Sequence, residues 1–358
     1  MVSQQSIRTF PALEGYRGIA ALLIALYHYR CGFTGFGNYP AGDGYLAVDL
    51  FFVLSGFVLA HAYLPRLRRG LSVIDFMKIR LVRLYPLYFL GLVTGTAMLA
   101  LGLGAVQGFS SGNLATSFAW EVFMLPSPTT FLNQLFPINF VGWSLFFEMA
   151  VNLLFALFWR FLNARVLAAV LLISGAGLCA YTLLIHSASS GNMWGPLMIF
   201  GVPRVIFSFF LGVFLYRLHE EGRLRIESGA APVLMGAVML AAYLLVPVDD
   251  VIRGIYDLGF ILMLSPMLVI LGINAPMSKE WRRVFSFIGA PSYALYVFHI
   301  TFVTVAVSAA RRLWDAPPIV AVALAAVAVM LGASVVADIV YDGPVRRMLT
   351  ARFIKKAA

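Results

Sequence analysis

Charge is scarce in this chain. Of its 358 residues 12% are charged and 61% are hydrophobic, with a mean hydropathy of +0.89. Soluble domains carry about a quarter charged residues, so the balance excludes one and leaves an integral helical membrane protein. Cysteine is nearly missing. Cys31 and Cys179 form no ligand pattern, so no metal is expected, and thiols in or near apolar spans read as inert packing residues. No repeat of fixed period, inverted repeat or low-complexity tract is visible. A signal-peptide pattern is also lacking: the start is polar to mixed, Glu14 and Arg17 follow, and no small-residue cleavage site comes after them, so the first span is expected to be retained.

What is present is a series of apolar runs of about twenty residues. They predict an all-α, polytopic membrane helix bundle with about ten spans, near 14–33, 44–64, 81–105, 140–163, 164–186, 198–218, 229–247, 254–275, 285–308 and 317–340. The whole chain, 1–358, reads as a single integral-membrane domain. Basic residues fall in alternate loops. One set holds Arg66, Arg68, Arg69, Lys78, Arg80 and Arg83, then Arg160 and Arg165, then Arg217, Arg223 and Arg225, then Lys279, Arg282 and Arg283. Segments 106–139 and 187–197 contain no lysine or arginine, and only Arg253 and the pair Arg311 and Arg312 break the alternation. The positive-inside rule places both termini in the cytoplasm, with 341–358 as a basic cytoplasmic tail carrying Arg346, Arg347, Arg352, Lys355 and Lys356. The net charge of +10 is thereby mainly topological, and nucleic acid is not expected as a partner. Segment 106–139 is then extracytoplasmic. Amphipathic around Trp120 to Leu125 and rich in Pro, Ser, Thr and Asn after that, it is expected to form a short interfacial helix and an ordered loop capping the outer face.

Ionisable residues inside the spans are costly and point to function. Arg17 and His28 lie eleven steps apart, which on a helix brings both to one face within roughly 20° and separates them by about 16 Å along the axis. Asp49 sits at a depth similar to His28, where it either orients the imidazole or caps the second helix. In the fourth span Trp143 suits an interface, and Ser144 and Glu148 share a face; Glu148 can pair with Arg204 or serve as proton acceptor or orienter of His28. The ninth span carries Ser292, Tyr293, Tyr296 and His299, of which Ser292, Tyr296 and His299 share one face. Arg80 and Arg83 project together at the cytoplasmic side, as two guanidinium forks for a phosphate-bearing ligand or as positive-inside and lipid-headgroup anchors.

In this order these residues resemble the acyltransferase 3 family of multi-pass membrane O-acyltransferases, over nearly the whole chain. The pattern comprises Arg17 and His28, the run from Asp49 to Phe57, Arg80 and Arg83, Trp143 with Ser144 and Glu148, and the run from Ser292 to His299. Where the family often ends its last span with Glu-x-Pro, this chain has Asp342, Gly343 and Pro344, which keeps the charge. The soluble extension fused to some members is not seen, so the stand-alone type is expected.

The resemblance implies transfer of an acyl group, usually acetyl, from cytoplasmic acyl-CoA to a hydroxyl of a cell-surface or exported carbohydrate or similar acceptor. It implies a place in the bacterial cytoplasmic membrane among membrane lipids, with acyl-CoA as co-substrate and no bound cofactor. Arg17, Arg80 and Arg83 would hold the donor phosphates. His28 would act as general base or acyl carrier, with Asp49 or Glu148 stabilising the imidazolium. Ser144, Tyr293 or backbone amides would supply oxyanion donors, with Trp143, Ser292, Tyr296 and His299 completing the cavity. A transporter or flippase of a glycan or lipid-linked precursor is the rival class, since buried charges and a midplane cavity suit it too. A His-x4-Asp glycerolipid pattern is absent at all five histidines. The sequence leaves acceptor, acyl length and oligomeric state open.

Overall fold

The computed structural model describes residues 10–34, 42–103, 110–129, 133–226, 229–315 and 317–354. Lys355 and Lys356 of the expected tail, and positions 106–109 and 130–132 of the expected cap, lie outside the described residues. Among the described residues the chain is helical throughout, apart from turns and one isolated bridge between Gln134 and Met193. It is a polytopic all-α membrane bundle.

Each expected span falls on helix. The helices are α1 (Pro11–Thr34), α2 (Ala47–Arg68), α3 (Val73–Ala100), α4 (Ser111–Glu121), α5 (Gly142–Phe158), α6 (Ala164–Ile185), α7 (Pro196–Glu220) and α8 (Ala230–Leu245). They continue with α9 (Asp250–Gly259), α10 (Ser265–Asn274), α11 (Lys279–Gly289), α12 (Ser292–Leu313), α13 (Ile319–Val336) and α14 (Gly343–Phe353). Seven helical stretches among the described residues are long and apolar enough to cross a membrane: Gly44–Arg68, Val73–Ala100, Ala164–Ile185, Pro196–Glu220, Asp250–Asn274, Lys279–Leu313 and Ile319–Phe353. α5 and α8 are apolar but shorter, and α1 is interrupted by Glu14, Arg17 and Arg30.

Local chemistry moves several boundaries from their expected places. α3 begins at Val73, not 81, because Ser72 caps it by accepting from the Asp75 amide at 3.0 Å and the charged first turns stay helical. α4 ends where the interfacial helix was expected to begin; Ser110 accepts from the Asn113 amide at 3.1 Å and starts it earlier. The span expected at 285–308 crosses a break at Ala290 and Pro291, between α11 and α12. The tail expected from 341 is helix as far as Phe353, joined to α13 through a π-turn over Ala337–Asp342.

α2 and α7 cross in backbone contact. A Cβ on Gly56 would lie 2.0 Å from the Phe209 carbonyl oxygen, and one on Gly212 would lie 2.0 Å from that of Val53. Small residues at such crossings let helices meet without a hydrophobic driving force, as lipid requires. α1 packs on α2, α8, α11 and α12, which places its polar face inside the bundle. Outer helices turn apolar side chains outward: Leu172, Ile173 and Leu184 of α6 and Val320 and Leu324 of α13 are exposed. His28, Asp49, Glu148, Arg204, Asp257, His299 and Asp342 are buried instead.

Candidate active site

A cavity of about 650 Å³ opens among α1, α2, α3, α5, α12 and α14. Its wall on α2 runs from Val48 to Arg66, eighteen residue steps or about 27 Å of helix. Arginines dominate its polar lining: Arg17, Arg66, Arg80, Arg83 and Arg346, against Glu14 and Glu148. Phe51 of α2, Ser144 of α5 and Ser292, Tyr293 and Tyr296 of α12 line it too. The space thus combines arginines with aromatic rings and hydroxyls.

The arginines expected to act together do share this cavity, each tethered differently. Arg17 Nε donates to Ser292 Oγ at 2.9 Å, and Ser292 Oγ in turn donates to the Gly289 carbonyl at 2.6 Å. Arg80 pairs with Glu148 at 3.0 Å, and the same Glu148 oxygen accepts from Ser55. Arg83 lies 3.7 Å from Asp342 and 5.7 Å from the Tyr293 ring centroid, while the Tyr293 hydroxyl donates to the Leu84 carbonyl at 2.6 Å. Asp342 therefore serves the basic mouth.

His28 and His299 do not line the cavity and lie behind Tyr296. Ser144 Oγ and the Tyr296 hydroxyl are 2.7 Å apart on the cavity wall, and the Tyr296 ring lies 5.6 Å from the His299 ring. His299 Nε2 is 3.2 Å from His28 Nδ1. Each Nδ1 also faces a carbonyl oxygen, that of Ile24 at 2.9 Å from His28 and that of Tyr296 at 2.6 Å from His299. A carbonyl only accepts, so the hydrogen-bond network puts the proton on Nδ1 of both rings. His299 then offers its Nε2 lone pair to His28 Nδ1–H, and the lone pair of His28 resides on Nε2. Tyr27 and Phe140 pack edge-on against the His28 ring at 5.0 and 6.0 Å.

The expected pairing of Asp49 with His28 is not formed. Asp49 is clamped by Arg204, whose Nη2 donates at 2.6 Å and Nε at 3.0 Å, and Ser208 donates to it at 3.1 Å. Arg204 also donates to the carbonyls of Ser190 and Tyr45, at 3.1 and 3.2 Å. Equal depth placed Asp49 near His28 along the membrane normal, but α2 turns the carboxylate toward α7. The expected pair of Glu148 with Arg204 is exchanged as well: Glu148 takes Arg80. His28 is held by an imidazole, that of His299, and by the Ile24 carbonyl. Trp143 is buried with its ring 5.9 Å from the Arg204 guanidinium and does not line the cavity. Ser55, His61, Glu14 and Arg346 line the cavity without having been singled out. Arg346 carried a signal, four residues after Asp342 on the same helical face.

The segment expected to form the cap is pinned by polar bonds. Glu121 accepts from the Ile138 and Asn139 amides at 3.0 and 3.1 Å, and Tyr88 donates to the Glu121 carbonyl at 2.6 Å. Burial pushes the Glu121 carboxyl up to about 8, against those two amides.

Together the bundle and the cavity define a membrane-embedded protein with an arginine-lined cavity close to two buried imidazoles. A family model described as an acyltransferase domain, that of acyltransferase 3, matches residues 10–338, and the chain belongs to this family. Among curated proteins it is similar to protein 2 in the picA locus of Rhizobium radiobacter, 41% identical over 166 residues covering 43% of this chain and 85% of that protein. It is similar to the O-acetyltransferase OatA of Staphylococcus aureus, 24% identical over 318 residues covering 82% of this chain and 50% of OatA. With the exopolysaccharide production protein ExoZ of Rhizobium meliloti it shares 25% identity over 277 residues, covering 74% of this chain and 78% of ExoZ. The chain spans about half the length of OatA. No solved structure matches.

Proposed function

We propose that this acyltransferase takes an acyl group, chiefly acetyl, from acyl-CoA and gives it to a hydroxyl of a cell-surface or exported carbohydrate. The observation that carries the reading is that one cavity is lined both by the arginine cluster and by the Ser144 and Tyr296 pair, with His299 and His28 behind Tyr296. The names of OatA and ExoZ support an acetyl group and a polysaccharide acceptor. We place ten spans in a bacterial cytoplasmic membrane, with both termini and the arginine-lined mouth on the cytoplasmic side. The positive-inside rule supports that orientation.

In this reading Arg17, Arg80 and Arg83 hold the donor's phosphates, and the pantetheine arm lies along α2 with its thioester near Tyr296. His28 Nε2 accepts the proton of the acceptor hydroxyl as its oxygen attacks the thioester carbonyl. The carbon–sulfur bond then breaks, and CoA leaves as the thiol after receiving that proton. Tyr296 donates a hydrogen bond to the oxyanion, with the Ser144 hydroxyl turned to donate to Tyr296. His299 keeps His28 in the tautomer with its lone pair on Nε2, and Arg204 with Asp49 braces α2 against α7 behind the site.

The test is acyl transfer by purified protein given acetyl-CoA and candidate polysaccharides. Release of free CoA that depends on the acceptor supports the reading. Absence of any acceptor-dependent CoA release, across bacterial surface polysaccharides, contradicts it.

A further inference from the structure

The family match ends at residue 338, yet the cavity wall continues past it. α14 carries Arg346 and Thr350 four residues apart on one face, and both line the cavity with Ile354 just past the helix end. Arg347, one residue on, lines only a neighbouring groove, which shares those three residues. Asp342 is buried at the end of the π-turn. Its Oδ2 accepts from Arg346 at 3.0 Å and lies 3.7 Å from Arg83, while its Oδ1 has no partner. One carboxylate oxygen is therefore shared by two guanidiniums from different helices. Each guanidinium has five N–H donors, so most of that capacity is left for another anion.

Charge in the cavity points the same way. Five arginines and two glutamates line it among the described residues, an excess suited to a ligand with several phosphates. A phosphate here can belong to a soluble donor or to a lipid headgroup. Arg346 lies on the wall of the cavity that reaches Tyr296, which favours the donor.

We propose that Arg346 is a donor-binding residue, gripping a phosphate of the acyl donor jointly with Arg83, with Asp342 setting the two guanidiniums side by side. The inference rests on acyl-CoA being the donor. It assigns the tail helix to the donor site and makes Asp342 a positioning residue.

The experiment measures binding of CoA, and of pantetheine as its phosphate-free counterpart, to the full chain in zwitterionic nanodiscs. Wild type is compared with Arg346→Gln, Arg347→Gln and Arg83→Gln. Arg346→Gln is expected to weaken CoA roughly 10–100-fold, the size of a lost charge-assisted contact, and to leave pantetheine unchanged. Arg347→Gln should change neither by more than about twofold, as expected for a residue outside the cavity. Arg346→Lys should recover part of the loss. Unchanged CoA affinity in Arg346→Gln, an equal loss for pantetheine, or an equal loss in Arg347→Gln would overturn the proposal. In a parallel measurement with phosphatidylglycerol added to the nanodiscs, a loss of phosphatidylglycerol binding in Arg346→Gln without loss of CoA binding would overturn it too, assigning Arg346 to lipid. If Arg83→Gln weakens CoA while Arg346→Gln does not, only this inference fails. If wild type binds no CoA, the acyl-CoA reading fails with it.

Discussion

His299 Nε2 faces His28 Nδ1 at 3.2 Å across the contact between α12 and α1. The two carbonyls behind them fix which nitrogen each ring leaves unprotonated. A histidine so held needs no carboxylate to choose its tautomer. His28→Ala should lower acyl transfer by about 10²–10⁴-fold with membrane levels unchanged. His299→Ala should lower kcat by on the order of tenfold or more with donor KM unaltered, and His299→Gln should restore part of it, since its amide oxygen can accept from His28 Nδ1–H. Normal turnover in His28→Ala would remove that residue from the mechanism.

Asp49 and Arg204 should behave as a structural pair. Truncating either leaves a buried charge unpaired, at a cost of about 3–5 kcal/mol. Thermal unfolding in detergent should show Asp49→Ala and Arg204→Met each strongly destabilised, with the double variant closer to wild type than their sum. Additive losses would show that the two side chains contribute independently.

Glu148→Gln keeps the shape but removes the partner of Arg80. Because the carboxylate faces the arginines, the variant should change donor KM, with the pH profile of kcat held where it was. A shifted profile with unchanged donor KM would place Glu148 at the proton instead. The double change Arg80→Ala with Arg83→Ala should raise donor KM while acceptor KM holds.

The cap should loosen as pH rises. The folded-state pKa of Glu121 stands near 8, above the ordinary 4.5, so the protonated form is the one the fold favours. Its stabilising effect is complete below about 4.5 and is lost progressively as pH rises through 8. Hydrogen exchange at α4 and at residues 133–139 should therefore show weaker protection at pH 8.5 than at pH 6, after correction for intrinsic exchange rates. Glu121→Gln should flatten that difference while lowering protection overall, because its NH₂ faces an amide that the carboxylate accepted from. Equal protection at both pH values in wild type would contradict the sign.

How far these features were legible in the sequence depended on whether they were local. The helices were legible, because twenty-residue apolar runs admit little else. Arg17, Arg80 and Arg83 do line one cavity, as the resemblance implied. Asp49 shows the limit. Its depth could be read from the chain, but the direction it faces is set by the crossing of α2 and α7 at Gly56 and Gly212, and its partner Arg204 is distant in sequence. Arg346 was hidden differently: as one of several tail charges it looked topological until the π-turn carried α14 back onto the cavity.

The most direct test of the central claim uses sealed vesicles containing the purified protein. Acyl-CoA is supplied on the arginine-rich side and a polysaccharide acceptor on the other, with free CoA and acylated acceptor measured on each side. The account predicts acylated product on the acceptor side and an equal amount of free CoA on the donor side, both lost in His28→Ala. Movement of an already acylated molecule across the membrane without release of CoA would contradict it, and would make the protein a carrier.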